Sequence, residues 1–215
     1  VRLLIVRHGA TLNNASGRYT GQSDVELSPL GVRQAEALAA RLASEQLDQI
    51  VTSDLRRARK TAECIAARHP DVPLSLDADL REISMGEWEG LTHAEVLARD
   101  PVRFMRWSDD AAAVAAPGGE TYAELHQRVA RALDHSVGQC PLGTVLWATH
   151  GGAIGILLCH VLGLDLSKRA QFRRDNTAIT ELVITEGAIV LIRHNDTAHL
   201  EHLADDGLSE PSQVL

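Results

Sequence analysis

The chain has 215 residues, 45% hydrophobic and 23% charged, the make-up of a soluble globular protein long enough for one large domain. Its net charge of −8 excludes the basic field that nonspecific nucleic-acid binding needs, yet local arginines can override that sign for a small anionic substrate. Aromatics make up only 3%, so Leu, Val, Ile and Ala must build the core. Cys64, Cys140 and Cys159 show no CxxC spacing and no signal peptide is read, so free thiols in a reducing cytoplasm are expected.

The first element is the apolar run Leu3-Leu4-Ile5-Val6, whose lack of alternation reads as a strand covered on both faces, ending at Arg7-His8-Gly9. Residues 12–26 are polar and glycine-containing and are expected as a loop over that strand end. Ser28-Pro29 is a helix start, Ser as N-cap and Pro in the first turn, for a helix reaching about Ser44. Gln49-Ile50-Val51-Thr52 is a second strand, with Ser53-Asp54 as the next N-cap. Ala58, Thr61, Ala62 and Ile65 supply the following helix's apolar stripe.

Leu74-Ser75-Leu76 is a third strand and residues 81–90 a loop. Thr92-His93-Ala94-Glu95 and Thr121-Tyr122-Ala123-Glu124 are capping boxes that open two further helices. The Ala-, Pro- and Gly-rich residues 108–120 between them are expected to be exposed. Arg99, Arg103 and Arg106 are placed on an exposed helix. Residues 144–149 form a buried strand that ends at His150-Gly151-Gly152, before a helix beginning near Ala153. Residues 153–164, the longest apolar stretch, are too short to span a bilayer and read as a buried helix, so no membrane partner is expected. Strands near residues 179–184 and 188–193 complete an α/β domain with a mainly parallel sheet. No repeat or linker divides the chain, and a single domain over residues 1–215 is expected.

Two strands thus end alike, in an apolar run followed by histidine and glycine. A parallel sheet gathers its strand C-termini on one edge, where α/β proteins place their sites, so His8 and His150 should meet. Arg57 falls in the first turn of the helix after the second strand, near the same edge, and that helix N-terminus adds a positive dipole end. The combination suits phosphate. Arg56, Arg59 and Lys60 point elsewhere around the helix and read as a solvated face.

These residues resemble a known family. Arg7-His8-Gly9 with Thr11 and Asn14 is similar to the opening block of the histidine phosphatase superfamily, the phosphoglycerate-mutase-like proteins. The blocks Gly21-Gln22-Ser23-Asp24, Leu27-Ser28-Pro29-Leu30-Gly31 and Ser53-Asp54-Leu55-Arg56-Arg57-Ala58 follow in that family's order. So do Leu80-Arg81-Glu82 with Gly86-Glu87-Trp88-Glu89-Gly90, Pro117-Gly118-Gly119-Glu120, Thr149-His150-Gly151-Gly152 and Asn195-Asp196-Thr197-Ala198-His199-Leu200. One departure is Ala10, a position the family often fills with glutamate.

The resemblance implies a three-layer α/β/α sandwich and phosphomonoester hydrolysis on a small molecule through a phosphohistidine. His8 would be the nucleophile, with Arg7, Arg57 and His150 holding the phosphoryl oxygens and Asn14 adding a phosphate contact. Glu82 would be the general acid and then the base. Gly21 and Gln22 are candidates for substrate contact, and His199 for the pocket entrance. Arg7 and Arg57 should disfavour the imidazolium, and the second ring nitrogen of His8 should donate to a backbone carbonyl. His194, Asp196, His199 and His202 fit no standard ligand spacing, so neither a metal nor another cofactor is expected. A cofactor-dependent phosphoglycerate mutase is the alternative. Against it, the family's mutases typically carry a longer insertion than residues 91–118. A noncatalytic phospho-ligand binding module is a further alternative. Sugar phosphates, phosphoserine, nucleotides and α-ribazole phosphate all stay open as substrates, and a homodimer is in keeping with the family.

Overall fold

In the computed structural model, which describes residues 1–204, the leading apolar run is strand β1 (Arg2–Arg7), whose residues Leu3 to Val6 are fully buried. The other strands are β2 (Gln49–Thr52), β3 (Leu74–Leu76), β4 (Thr144–Thr149), β5 (Ile179–Ile184) and β6 (Ile189–Asp196). They form one sheet in the order β3-β2-β4-β1-β5-β6. β1 runs parallel to β4, and β2 runs parallel to both β3 and β4. β5 and β6 are added antiparallel on the far side of β1. The sheet is therefore mainly parallel.

Alternate strand residues feed two apolar layers, as the two-residue strand period requires. Leu3, Ile5, Val51, Val145 and Trp147 face one layer with Leu125, Val129 and Leu133 of α6 (Tyr122–Gln139) and Ile154, Ile156 and Leu157 of α7 (Gly151–Val161). Leu4, Val6, Ile50, Leu146 and Ala148 face the other, against Leu38 and Leu42 of α2 (Pro29–Leu42) and Ala62 and Ile65 of α3 (Arg56–Ala66). Helices thus cover both faces of the sheet, giving the expected three-layer α/β/α arrangement.

Local departures from expectation have local causes. Residues 12–26 are not all loop, because Thr11 and Asn14 form a capping box that starts the short helix α1 (Leu12–Ser16), closed at Gly17. The N-cap of α3 is Leu55 without a side-chain cap, since Ser53 and Asp54 are engaged elsewhere. Within residues 81–90 lies a single 3-10 turn, Gly86–Trp88. The capping boxes at Thr92 and Thr121 do open α4 (His93–Arg99) and α6. Arg103 and Arg106 lie on α5 (Pro101–Asp109), behind the N-cap Asp100. α7 starts at Gly151, two residues earlier than expected, with His150 as N-cap.

Residues 108–120 are not simply exposed. Ala111 and Ala116 are buried, the Pro117 carbonyl accepts from Glu87 N–H, and Glu120 N–H donates to the Ser84 carbonyl. That segment braces the Glu82 loop. Among the described residues no helix is long and apolar enough to cross a membrane.

Candidate active site

The edge formed by the ends of β1 and β4 brings His8 and His150 together, their ring centroids 5.1 Å apart at an interplanar angle of 57°. Two close approaches seat the His8 turn. A Cβ on Gly9 would lie 2.3 Å from the Gly31 carbonyl oxygen, so glycine lets the chain pack directly on the start of α2. On the other side Asn176 Nδ2 donates to the His8 carbonyl at 2.8 Å, and Thr177 N–H donates to the Arg7 carbonyl at 3.0 Å.

His8 Nδ1 lies 2.7 Å from the Gly9 carbonyl oxygen. A carbonyl can only accept, so Nδ1 carries the proton and Nε2 keeps its lone pair. Burial, then the Arg57 and Arg7 charges, push the His8 pKa well below its ordinary value, while the Gly9 hydrogen bond opposes them. The ring is neutral at physiological pH, as a nitrogen nucleophile must be.

Arg57 is only 1% exposed, an unusual state for an arginine without a carboxylate partner. Its Nη1 donates to the Ser23 carbonyl at 2.8 Å and its Nη2 to the Gly21 carbonyl at 2.7 Å, which leaves Nε without a partner. Arg7 Nη1 donates to the Arg174 carbonyl, and its Nε is likewise unpartnered and covered. Burial lowers both guanidinium pKa values, that of Arg7 to about 10, so both remain charged at neutral pH. His150 Nε2 lies 2.9 Å from Ser53 Oγ, while its Nδ1 has no partner. Burial, then Arg57 and His8, depress the His150 pKa strongly. Three covered nitrogens around a neutral imidazole thus lack partners, each a penalty of about 1–3 kcal/mol that an anion's oxygens would relieve.

Glu82 sits across this cluster at the start of α7. Its Oε2 accepts from Gly152 N–H at 3.0 Å and its Oε1 from Ile83 N–H at 2.9 Å. The start of α3, expected to offer its amides to phosphate, instead gives Arg56 N–H to Asp24 Oδ1 at 2.8 Å. What the first turn of α3 brings to the cluster is the Arg57 side chain.

The remaining candidates are placed as follows. Asn14 Oδ1 accepts from Thr11 N–H and Thr11 Oγ1; a phosphate could use only the amide nitrogen of Asn14. Gly21 supplies the carbonyl that holds Arg57. Gln22 Nε2 donates to the Glu82 carbonyl at 3.1 Å, tying the second block to the Glu82 loop. His199 Nε2 lies 3.1 Å from Thr177 Oγ1, one residue beyond the Asn176 contact to His8, and burial lowers its pKa to about 4. Ala10 is buried, with its N–H on Gln34 Oε1. A shallow dent lined by Arg7, Arg174 and His194 lies beside the cluster and includes neither His8 nor Glu82. Among the described residues no group of three or more His, Cys, Asp or Glu could hold a metal ion.

Sequence reasoning overlooked several supports. Glu89 accepts from Gln22 N–H, Met85 N–H and Ser23 Oγ and so fixes the segment that grips Arg57. Arg128 donates to the carbonyls of Asp79 and Glu82 and is paired with Glu120 at 2.7 Å. Its signal was a charge three residues after Leu125, on the buried stripe of α6.

Residues 3–197 match the model of the histidine phosphatase superfamily, branch 1. A glucosyl-3-phosphoglycerate phosphatase of Mycolicibacterium vanbaalenii is 42% identical over 173 residues, covering 77% of this chain and 76% of that one. Phosphoserine phosphatase 1 of Hydrogenobacter thermophilus is 34% identical, covering 93% and 94%. A probable phosphoglycerate mutase of Yersinia pestis is 32% identical, covering 97% and 99%. The solved structure of mycobacterial glucosyl-3-phosphoglycerate phosphatase with VO3 superposes with a TM-score of 0.81 at 33% identity, covering 90% and 98%.

Proposed function

The chain belongs to branch 1 of the histidine phosphatase superfamily, and from that membership we propose that it hydrolyses a small phosphomonoester through a phosphohistidine on His8. Relatives at 42% and 34% identity are named as phosphatases, which supports hydrolysis over mutase activity. The observation that carries the reading is the set of unpartnered nitrogens on Arg7, Arg57 and His150 beside a histidine held neutral.

A phosphomonoester brings about two negative charges near neutral pH. His8 Nε2 attacks phosphorus in line, a P–N bond forms, and the P–O bond to the alcohol breaks. The departing alkoxide takes the proton of Glu82. Water then attacks phosphorus, gives its proton to the Glu82 carboxylate, and the P–N bond breaks to free His8 and phosphate. Arg7, Arg57 and His150 hold the equatorial oxygens, where charge is greatest in the transition state. The step closes with these side chains alone.

The chain acts as one domain in this reading, because β1 from one end pairs with β4 and β5 from the other; residues 205–215 lie outside the described residues. The free thiols Cys64, Cys140 and Cys159 support a cytoplasmic setting.

The test is phosphate release from a panel of phosphomonoesters, run beside 3-phosphoglycerate with 2,3-bisphosphoglycerate. Release that disappears in His8→Ala, with an acid-labile phosphoprotein trapped only in the wild type, supports hydrolysis. Isomerisation faster than release would make it a mutase. Inactivity in both assays with retained phosphate binding would make it a binding module.

A further inference from the structure

Among the described residues only Thr177 and Asn195 have positive φ without being glycine, at 58° and 56°. Asparagine enters the left-handed region readily, and here its side chain is used: Asn195 Oδ1 accepts from Asp175 N–H at 2.7 Å and Nδ2 donates to Asp175 Oδ2 at 2.8 Å. A β-branched threonine has no such ease, and Thr177 is fully buried. Glycine would take this backbone without strain, so the threonine side chain supplies something that glycine lacks.

Its N–H and its hydroxyl are both engaged. The N–H donates to the Arg7 carbonyl at 3.0 Å and reaches the His8 carbonyl at 3.4 Å. Thr177 Oγ1 lies 2.7 Å from the Asn176 carbonyl oxygen and 3.1 Å from His199 Nε2. A carbonyl can only accept, so the single hydroxyl proton goes to Asn176, and Oγ1 accepts from His199 Nε2–H. Asn176 in turn donates through Nδ2 to the His8 carbonyl at 2.8 Å. One hydrogen-bonded line therefore runs from His199 through Thr177 and Asn176 to the peptide that follows the nucleophile. The same turn is held on its other sides by His8 N–H on the Thr149 carbonyl at 3.0 Å and Gly9 N–H on Thr61 Oγ1 at 3.1 Å.

We propose that Thr177, gripped by His199, is a positioning residue for the nucleophile: its hydroxyl locks the Asn176–Thr177 peptide, which pins the His8 carbonyl and so keeps Nδ1 on Gly9 and Nε2 free for phosphorus. This rests on the hydrolysis reading, and it gives His199 a place behind the nucleophile instead of against the substrate. Strained backbone persists where the surrounding contacts over-determine it, and here those contacts converge on the reacting side chain. In-line attack leaves little tolerance for a displaced nucleophile, which is what the hydroxyl guards against.

The test follows single-turnover formation of the phosphohistidine beside steady-state kinetics. Thr177→Gly accepts the left-handed backbone but lacks the hydroxyl. It should slow phosphohistidine formation by about 10–100-fold, the scale of a small misplacement of reacting atoms, with KM little changed. Thr177→Ser should recover most of that rate. His199→Phe keeps a ring and removes the donor, and should lower kcat in the same way. The double variant Thr177→Gly/His199→Phe should be no slower than the worse single one, because both break the same line. A wild-type rate in Thr177→Gly, or additive losses in the double variant, would overturn the proposal. So would a His199→Phe effect confined to KM, which would put His199 against the substrate. If no phosphomonoester is turned over, the hydrolysis reading fails by itself. Nitrogen NMR of the His8 ring then still decides the positioning role: the Nδ1–H tautomer in the wild type and a mixture of tautomers in Thr177→Gly support it, and an unchanged tautomer rejects it.

Discussion

His8 and His150 lie 5.1 Å apart between ring centroids, each the residue that follows a strand of one parallel pair. One ring is tied to a backbone carbonyl and the other to Ser53, so the pair is held apart in role as well as in position. His150→Ala should therefore lower kcat by about 10²–10³-fold, the usual effect of removing one donor from a developing oxyanion. The phosphohistidine on His8 should still form, which rapid-quench labelling would reveal. Loss of all labelling would instead make His150 indispensable to the attack itself.

Glu82 can be separated from the arginines by the leaving group. With alkyl phosphates Glu82→Gln should lose about 10²–10⁴-fold in kcat, whereas p-nitrophenyl phosphate, whose phenolate needs little protonation, should lose much less. Equal losses on both would show that Glu82 is not the proton donor.

The pH dependence of stability follows from the same burial. The folded pKa values of His8 and His150 lie below the ordinary 6.5, so the unfolded chain binds their protons first. Stability from these two groups is fully present above about pH 6.5 and declines as pH falls below it, by about 1.4 kcal/mol per pH unit for each histidine still neutral in the fold. Urea melts between pH 5 and 8 would measure the slope.

Arg128 and Glu120 are a nearly covered pair, and Arg128 also donates to the Glu82 carbonyl. Arg128→Met should destabilise the fold by roughly 3–5 kcal/mol, because it strands Glu120 and several carbonyls. The double variant with Glu120→Gln should recover part of that loss in thermal melts. Recovery of stability without recovery of kcat would mark Arg128 as a positioning residue for the acid loop.

Much of the fold was legible because period carries it. The unbroken run before His8 indicated a strand buried on both faces, and the boxes at Thr92 and Thr121 started helices where expected. His8, Arg57, Glu82 and His150 stood out by strand-end position or by ordered blocks. What stayed hidden was long-range hydrogen bonding. Ser53 reads as an N-cap until His150 arrives beside it, and nothing in the sequence pairs Glu89 with the Gly21–Ser23 turn until the two meet. Residues 108–120 looked exposed because Ala, Pro and Gly show no period; their burial depends on meeting the 82–90 loop.

The position of β1 between β4 and β5 sets the order in which this protein can be assembled. The strand before His8 has no neighbour until residue 144 has been synthesised, and the Asn176 and Thr177 contacts come later still. A nascent chain stopped after β3 would carry a bare apolar strand with both edges open, the kind of segment that pairs with other chains. Premature termination should therefore yield insoluble fragments rather than weak phosphatases. His8 is thus secured only once the sheet receives β4 and β5 on either side of β1.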